Sequence, residues 1–325
     1  MNDHAYKGLK TFTRMNHIAS ENKMIKKYNA EPANYHQAVN REIADFTMDK
    51  VDNNIDMDVV KSFGEEWNKF HGFSKKTIQL ICKEYFDIID DTIINKETYM
   101  IDIGCGSGRW SAYFLDKVNF IEAVDPSDAV FAADKLLGKT DKVRITKASI
   151  NTLPWPDETF DFAMSVGVLH HIPNTQHALD ACVKKIKKGG FFYVYLYYSF
   201  DNRGKLFKML FYLSDMIRRV VCRFPSFLKK ITCDFLAVLV YIPFILLTRL
   251  FNALGLKKLG SLIPLSLYAN KNFYVIRNDS LDRFGTKIEH RFTRQEIESM
   301  MVKSGLTNIR FGNDSAFWHA IGKRI

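Results

Sequence analysis

The chain has 325 residues, 47% hydrophobic and 25% charged. That is enough apolar material for a real core, and it excludes a disordered, collagen-like or coiled-coil chain. A formal charge of +10 together with 26 Phe, 14 Tyr and 4 Trp leaves two kinds of partner open, nucleic acid and a membrane surface.

Residues 1–75 are polar with weak periodicity and read as an N-terminal helical cap. Phe63, Trp67 and Phe70 share one helical face, and Phe73 closes the cluster. Such a face suits packing on a main domain or covering a ligand. From 76 to 199, helices alternate with short apolar strands. The expected strands are 99–104, 120–125, 143–147, 160–166 and 191–198, and the expected helices 75–85, 109–115, 128–137 and 176–187. This rhythm implies right-handed crossovers and a mostly parallel sheet.

Residues 200–282 break the rhythm. Apolar residues at 206, 209, 210, 213, 216, 217 and 220 mark an amphipathic helix. A more apolar helical block follows, with Pro225 before it and Pro243 inside it. The segment reads as an all-helical insertion or lid. Residues 283–325 return to the core. Thr293 and Glu296 form a capping box, Ile297, Met300 and Met301 an apolar face, and Gly305 a stop. Two closing strands, 306–311 and 316–321, are joined by a turn at 312–314.

The five cysteines are dispersed and never spaced C-x-x-C, which points to a reducing cytosol and away from structural zinc. No His/Cys/Asp cluster has metal-ligand spacing, so no metal is expected. Residues 1–11 lack a signal-peptide run. The stretch free of charge at 235–248 is 14 residues long and contains Pro243. A spanning helix needs about 20 apolar residues, so no transmembrane segment is expected.

The strongest motif is MIDIGCGSGR at 100–109. An apolar strand runs into Gly104, Gly106 and Gly108 and then a helix, a turn that lets a ligand approach the backbone. The next strand ends in Asp125, where a carboxylate can accept hydrogen bonds from ribose hydroxyls. Together they indicate a nucleoside-containing ligand. The dinucleotide pattern G-x-G-x-x-G would need glycine at 109, which is Arg109, and this disfavours a dehydrogenase.

The pattern resembles the first motif of class I S-adenosylmethionine-dependent methyltransferases. Further on, LPWPDETFD at 153–161, MSVGVLHHI at 164–172 and KKGGFFY at 187–193 resemble later motifs of that family. The resemblance covers 76–199 and 283–325. It implies an α/β fold, a Rossmann-like seven-stranded mixed sheet with an N-terminal helical cap and a helical insertion, and S-adenosylmethionine as cofactor. It implies Asp102, Gly104, Gly106 and Gly108 as the cofactor loop, with Asp102 suited to the ammonium end. Asp125 takes the ribose, flanked by Pro126 and Ser127. The position where the family often carries an acidic adenine contact is Ser149, followed by Ile150. Val166 and Gly167 would line the methionine arm. His170 and His171 are candidate general bases, against a structural reading in which they begin a helix; Tyr197 and His290 are weaker candidates.

The insertion concentrates the charge. Residues 200–282 contain 13 Lys plus Arg against 5 Asp plus Glu. Three readings follow: a lid shaping the acceptor pocket, an element docking on an anionic membrane surface, and a nucleic-acid surface. The last is disfavoured because the aromatics lie in apolar stretches. The expected function is methyl transfer to a small-molecule, glycan or lipid-linked acceptor by a cytoplasmic protein, peripheral at the inner face of a membrane if the insertion docks there. The alternatives are a non-catalytic cofactor-binding module and a nucleic-acid methyltransferase.

Overall fold

A computed structural model describes residues 26–47, 54–69, 75–200, 204–312 and 318–325. The chain divides into two units, Met1–Ser199 with His290–Ile325, and Phe200–Glu289.

The first unit is built on β1 (Asn34–Gln37), β2 (Glu42–Asp45), β3 (Tyr99–Ile103), β4 (Phe120–Asp125), β5 (Val143–Lys147), β6 (Phe160–Val166), β7 (Ile186–Leu196), β8 (Leu306–Phe311) and β9 (Trp318–Arg324). They form one sheet in the order β1-β2-β5-β4-β3-β6-β7-β9-β8. The six strands from β2 to β7 in that order are parallel neighbours. β1, β9 and β8 pair antiparallel at the two edges.

All five residues of β3 are buried, as expected for a central parallel strand covered on both faces. Tyr99, Ile101 and Ile103 face one apolar layer with Trp155, Leu179 and Ile297. Met100 faces the other, with Trp110, Phe114 and Val130. The helices that supply these layers are α1 (Met57–Lys69), α2 (Lys75–Tyr85), α3 (Arg109–Phe114), α4 (Ala129–Leu137), α5 (Thr175–Lys184) and, from the C-terminal end, Arg294–Lys303. That last helix begins with the expected capping box, Thr293 N–H donating to Glu296 Oε2 at 2.7 Å.

The sheet has nine strands rather than the expected seven. The two extra strands come from residues read as helical cap. β1 and β2 carry little apolar alternation because polar contacts dock their hairpin. Arg41 Nε pairs with buried Asp134 on α4 at 2.9 Å, and the Asn40 N–H donates to the same carboxylate. His36 and Asp45 bond across the hairpin at 2.7 Å. The turn expected at 312–314 falls largely on 313–317, outside the described residues, as do Phe70 and Phe73.

A buried polar network closes the sheet beside this hairpin. Glu122 on β4 accepts both the Nε (2.9 Å) and Nη2 (2.6 Å) of Arg144 on β5. Tyr99 donates its hydroxyl to the same carboxylate at 2.5 Å. The guanidinium is covered by the Tyr28 ring at 4.3 Å.

The second unit is helical: α6 (Lys205–Val221), α7 (Ser226–Leu236), α8 (Ile242–Ala253), α9 (Lys257–Leu262) and α10 (Phe273–Gly285). The helix Arg294–Lys303 in the first unit is then α11. A π turn, Ala237–Tyr241, joins α7 to α8. Pro243 lacks an N–H and crowds the preceding turn. The wider π turn just before it absorbs that crowding, so Ser226–Ala253 runs as one helix of 28 residues. Its length and apolar composition suffice to cross a membrane. The expectation from the 14-residue run therefore loses its length argument. The unit's own core contains Val221, Cys233, Leu236, Tyr241, Ile276 and Phe284.

Replacing Arg144 by Met leaves the fully buried Glu122 carboxylate without its counter-charge. Urea unfolding should show a loss of about 3 kcal/mol. Wild-type stability in that variant would remove the network's structural role.

Candidate functional site

β3 and β6 lie side by side, with β4 beyond β3 and β7 beyond β6. The order of winding reverses between them, which opens a crevice past their carboxyl ends.

At that edge β3 enters the glycine loop. Gly104, Gly106 and Gly108 have φ of 80°, 52° and 77°, the left-handed region that glycine occupies without penalty. A Cβ at Gly104 would stand 2.4 Å from Val168 Cγ2, so the loop and the turn after β6 approach too closely for any side chain. The N–H groups of Gly104 and Cys105 donate to the Val124 carbonyl at 2.7 and 2.9 Å, which ties the loop to the end of β4.

Asp125 ends β4. Its Oδ2 accepts the Gly106 N–H at 2.9 Å, and its Oδ1 accepts the N–H (2.9 Å) and hydroxyl (2.6 Å) of Ser127. Burial raises its pKa, opposed by these hydrogen bonds. Pro126 completes the turn, and Ser127 Oγ accepts the Ala129 N–H at the start of α4.

Asp102, near the end of β3, is fully buried. Ser111 on α3 donates to its Oδ2 at 2.6 Å, while Oδ1 has no hydrogen-bond partner among the described residues. Burial pushes its pKa up to about 7.

Ser149 follows β5 and opens a short 3-10 turn, Ile150–Thr152. Its N–H donates to Thr152 Oγ1 at 2.9 Å, and the two hydroxyls lie 3.2 Å apart. Ile150 is half-buried against the core. Val166 is buried at the end of β6, and Gly167 (φ 78°) turns the chain away.

His170 and His171 lie in the next 3-10 turn, Leu169–His171. The His170 ring stacks on Tyr197 at 3.9 Å and is fully buried; neither of its nitrogens has a hydrogen-bond partner among the described residues. Burial, followed by the charges of His171, Arg291 and His290, holds its pKa well below the usual imidazole value. His290 donates its N–H to the His170 carbonyl at 2.8 Å. His171 faces Phe63 of α1, ring centroids 4.9 Å apart. The next residue of α1, Gly64, approaches the other side of the crevice: a Cβ there would lie 3.1 Å from Ser127 Cβ.

A run of rings links this site to the α2–α3 face. Trp110 stacks on Tyr85 (5.0 Å), Tyr85 meets Tyr195 (5.4 Å), and Tyr195 meets His170 (6.3 Å). Of these, only His170 was expected near the site, as was Tyr197, on which it stacks. The signal was present, since Tyr193 and Tyr195 alternate along β7 and Tyr197 continues the period just past its end, which sets the strand pair on one face. Val168 gave no signal, because its role depends on the spatial meeting of two loops.

Residues 101–194 match the family model described as a methyltransferase domain. The similarity to a methyltransferase domain thus spans the strands and loops of this crevice. The chain is 28% identical over 134 residues to a sterol 4-C-methyltransferase of Caenorhabditis elegans, covering 39% of each protein. It is 26% identical over 156 residues to a ubiquinone biosynthesis O-methyltransferase of Coxiella burnetii, covering 46% of this chain and 64% of that one. It thus spans less than two thirds of the length of these relatives. Human N-acetylserotonin methyltransferase, solved in complex with S-adenosylmethionine, superposes with a TM-score of 0.45 at 14% identity over 81% of this chain and 56% of that one.

The cofactor of the methyltransferase domain is S-adenosylmethionine. The residues at the crevice suit it. The glycines let the loop pack tightly against Val168 and Ala133 with no side chain rising from it, and a buried carboxylate oxygen of Asp102 has no hydrogen-bond partner among the described residues. Among the described residues no three His, Cys, Asp or Glu side chains converge as metal ligands.

Because Asp102 binds its proton more tightly in the folded chain than when unfolded, the fold loses stability as pH rises from about 4 to about 7. Asp102→Asn removes that slope. Urea midpoints across this window should fall for wild type relative to the variant, with a difference on the order of 4 kcal/mol at pH 8. Parallel curves would contradict the burial of an ionisable carboxyl here.

Proposed function

We propose that this protein transfers a methyl group from S-adenosylmethionine to a small-molecule acceptor, with glycans and lipid-linked molecules included in that class. The observation that carries the reading is the Asp125 carboxylate, hydrogen-bonded to the glycine loop at the point where the sheet's winding reverses. Bound S-adenosylmethionine supplies an already activated methyl on a sulfonium.

In this reading Asp125 accepts hydrogen bonds from the ribose hydroxyls, with Pro126 and Ser127 shaping the turn that holds it. Gly104, Gly106 and Gly108 keep side chains out of the cofactor's path, and the Asp102 carboxylate offsets the ammonium charge. Val166 and Gly167 line the amino-acid arm. Ser149 and Ile150 flank the adenine, where the Ser149 hydroxyl is shared with Thr152 and contributes less than a carboxylate would. His170 is uncharged at neutral pH, because burial disfavours its cation. That makes it a weak proton acceptor on its own, so in this reading it takes the proton leaving an acceptor hydroxyl or amine only in concert with methyl transfer, with His171 beside it. Positioning supplies the remaining rate, since in-line attack on a bound sulfonium depends on orientation. The relatives named for sterol and ubiquinone biosynthesis support an acceptor with an extended apolar body, and the rings of Tyr85, Tyr195 and Tyr197 suit one.

Titration calorimetry tests the cofactor assignment. Asp125→Ala should raise the dissociation constant about a hundredfold, through the loss of two charge-assisted hydrogen bonds. Ser149→Ala should raise it less than about tenfold. An unchanged constant for Asp125→Ala would sink the ribose role.

A labelled-methyl transfer screen across lipid, glycan and small-molecule extracts tests the activity. His170→Asn should lower turnover about a hundredfold without weakening cofactor binding. Transfer to none of the extracts would favour a cofactor-binding module instead.

A further inference from the structure

The second unit leaves apolar stripes exposed on several of its helices, besides the apolar core it buries. On α6, Met209, Leu213, Met216 and Val220 recur at helical spacing and are all about half exposed or more. The buried side of the same helix carries Arg218, only 8% exposed. Its guanidinium is held by Asp215 and by the carbonyls of Thr286 and Lys287. Thus α6 buries Arg218 beside Val221 while an apolar stripe faces outward, against the usual arrangement of a surface helix.

The Ser226–Ala253 helix shows the same division. Ala237, Tyr241, Ile245 and Thr248 are buried at spacings of three and four. Tyr241 donates its hydroxyl to Asp279 on α10, which also receives the hydroxyl of Tyr268. Away from that face, Phe235, Leu239, Leu246 and Leu250 are 55–62% exposed. The same applies to Leu259 and Leu262 on α9, beside exposed Lys257 and Lys258. Soluble proteins seldom leave contiguous apolar surface on several helices, and such patches mark interaction sites.

We propose that the unit Phe200–Glu289 docks on an anionic lipid bilayer, with α6 and the Ser226–Ala253 helix lying in the plane of the interface. Charge selects this occupant. The segment 200–282 has a balance of +8, from 13 basic against 5 acidic residues. Two copies meeting through these faces would bring like charges together, whereas anionic headgroups attract each basic side chain near the surface by about 1 kcal/mol. Apolar residues flanked by Lys and Arg are what an interfacial helix requires.

The packing favours lying in the surface over crossing it. The helix is tied along one face to α10 through a polar network. The proposal does not depend on methyl transfer, and its test is read separately from activity.

The experiment adds the full chain to preformed vesicles of phosphatidylcholine, or of phosphatidylcholine mixed with phosphatidylglycerol, and measures sedimentation at low and high salt. Binding should require the anionic lipid and weaken as salt rises. Met216→Asp and Leu250→Asp, both on exposed positions, should each reduce binding about tenfold or more. Cofactor titration and circular dichroism should stay as in the wild type, which separates lost docking from misfolding. Equal binding to neutral vesicles, no binding to either, or unchanged binding by both variants would overturn the proposal. A stable wild-type dimer in light scattering that Met216→Asp converts to monomer, with no vesicle binding, would assign the face to a second copy instead.

Discussion

The parallel register of β3 between β4 and β6 is the constraint on which the rest of the site depends. Ile103 pairs with Val124, and Asp102 with both Ala123 and Met164. Parallel pairing delivers the carboxyl ends of these strands to one edge. The glycine loop, Asp125 and the turn after Val166 therefore meet there although they lie far apart in the chain. The close approach of Val168 to Gly104 follows from the same alignment. So does the tie from Gly106 to Asp125: a slip of one residue would turn each of these side chains to the opposite face of the sheet.

Much of this was readable in the sequence, for a physical reason. The central strands are buried on both faces and alternate with amphipathic helices, so their signal is strong and local. The glycines at 104, 106 and 108 announce a turn because few other residues tolerate its backbone angles. The closing β8–β9 pair and the capping box of α11 were legible by the same local chemistry. What escaped is what tertiary contacts decide. β1 and β2 are fixed by Arg41, Asn40 and Asp134, which a hydrophobic period cannot detect. The pairing of Phe63 with His171 joins residues more than a hundred positions apart.

The helical unit shows a different limit. Its helices were evident from their periodicity, but an apolar stripe in a sequence does not say which way it faces. The inward turn of Arg218 depends on carbonyls at the end of α10, and only the folded unit reveals it. Pro243 misled in a related way. Taken alone, a proline inside a helical pattern argues for a break. Here a π turn accommodates it, and the helix runs on from Ser226 to Ala253.

Helix α1 has a consequence for the two rims of the crevice. Consecutive residues, Phe63 and Gly64, touch the turns that follow β6 and β4 respectively. Their α-carbons are necessarily about 3.8 Å apart. The backbone of α1 thus bridges the two rims. The two contacts are therefore coupled through one peptide unit, and a movement of the helix that breaks one disturbs the other.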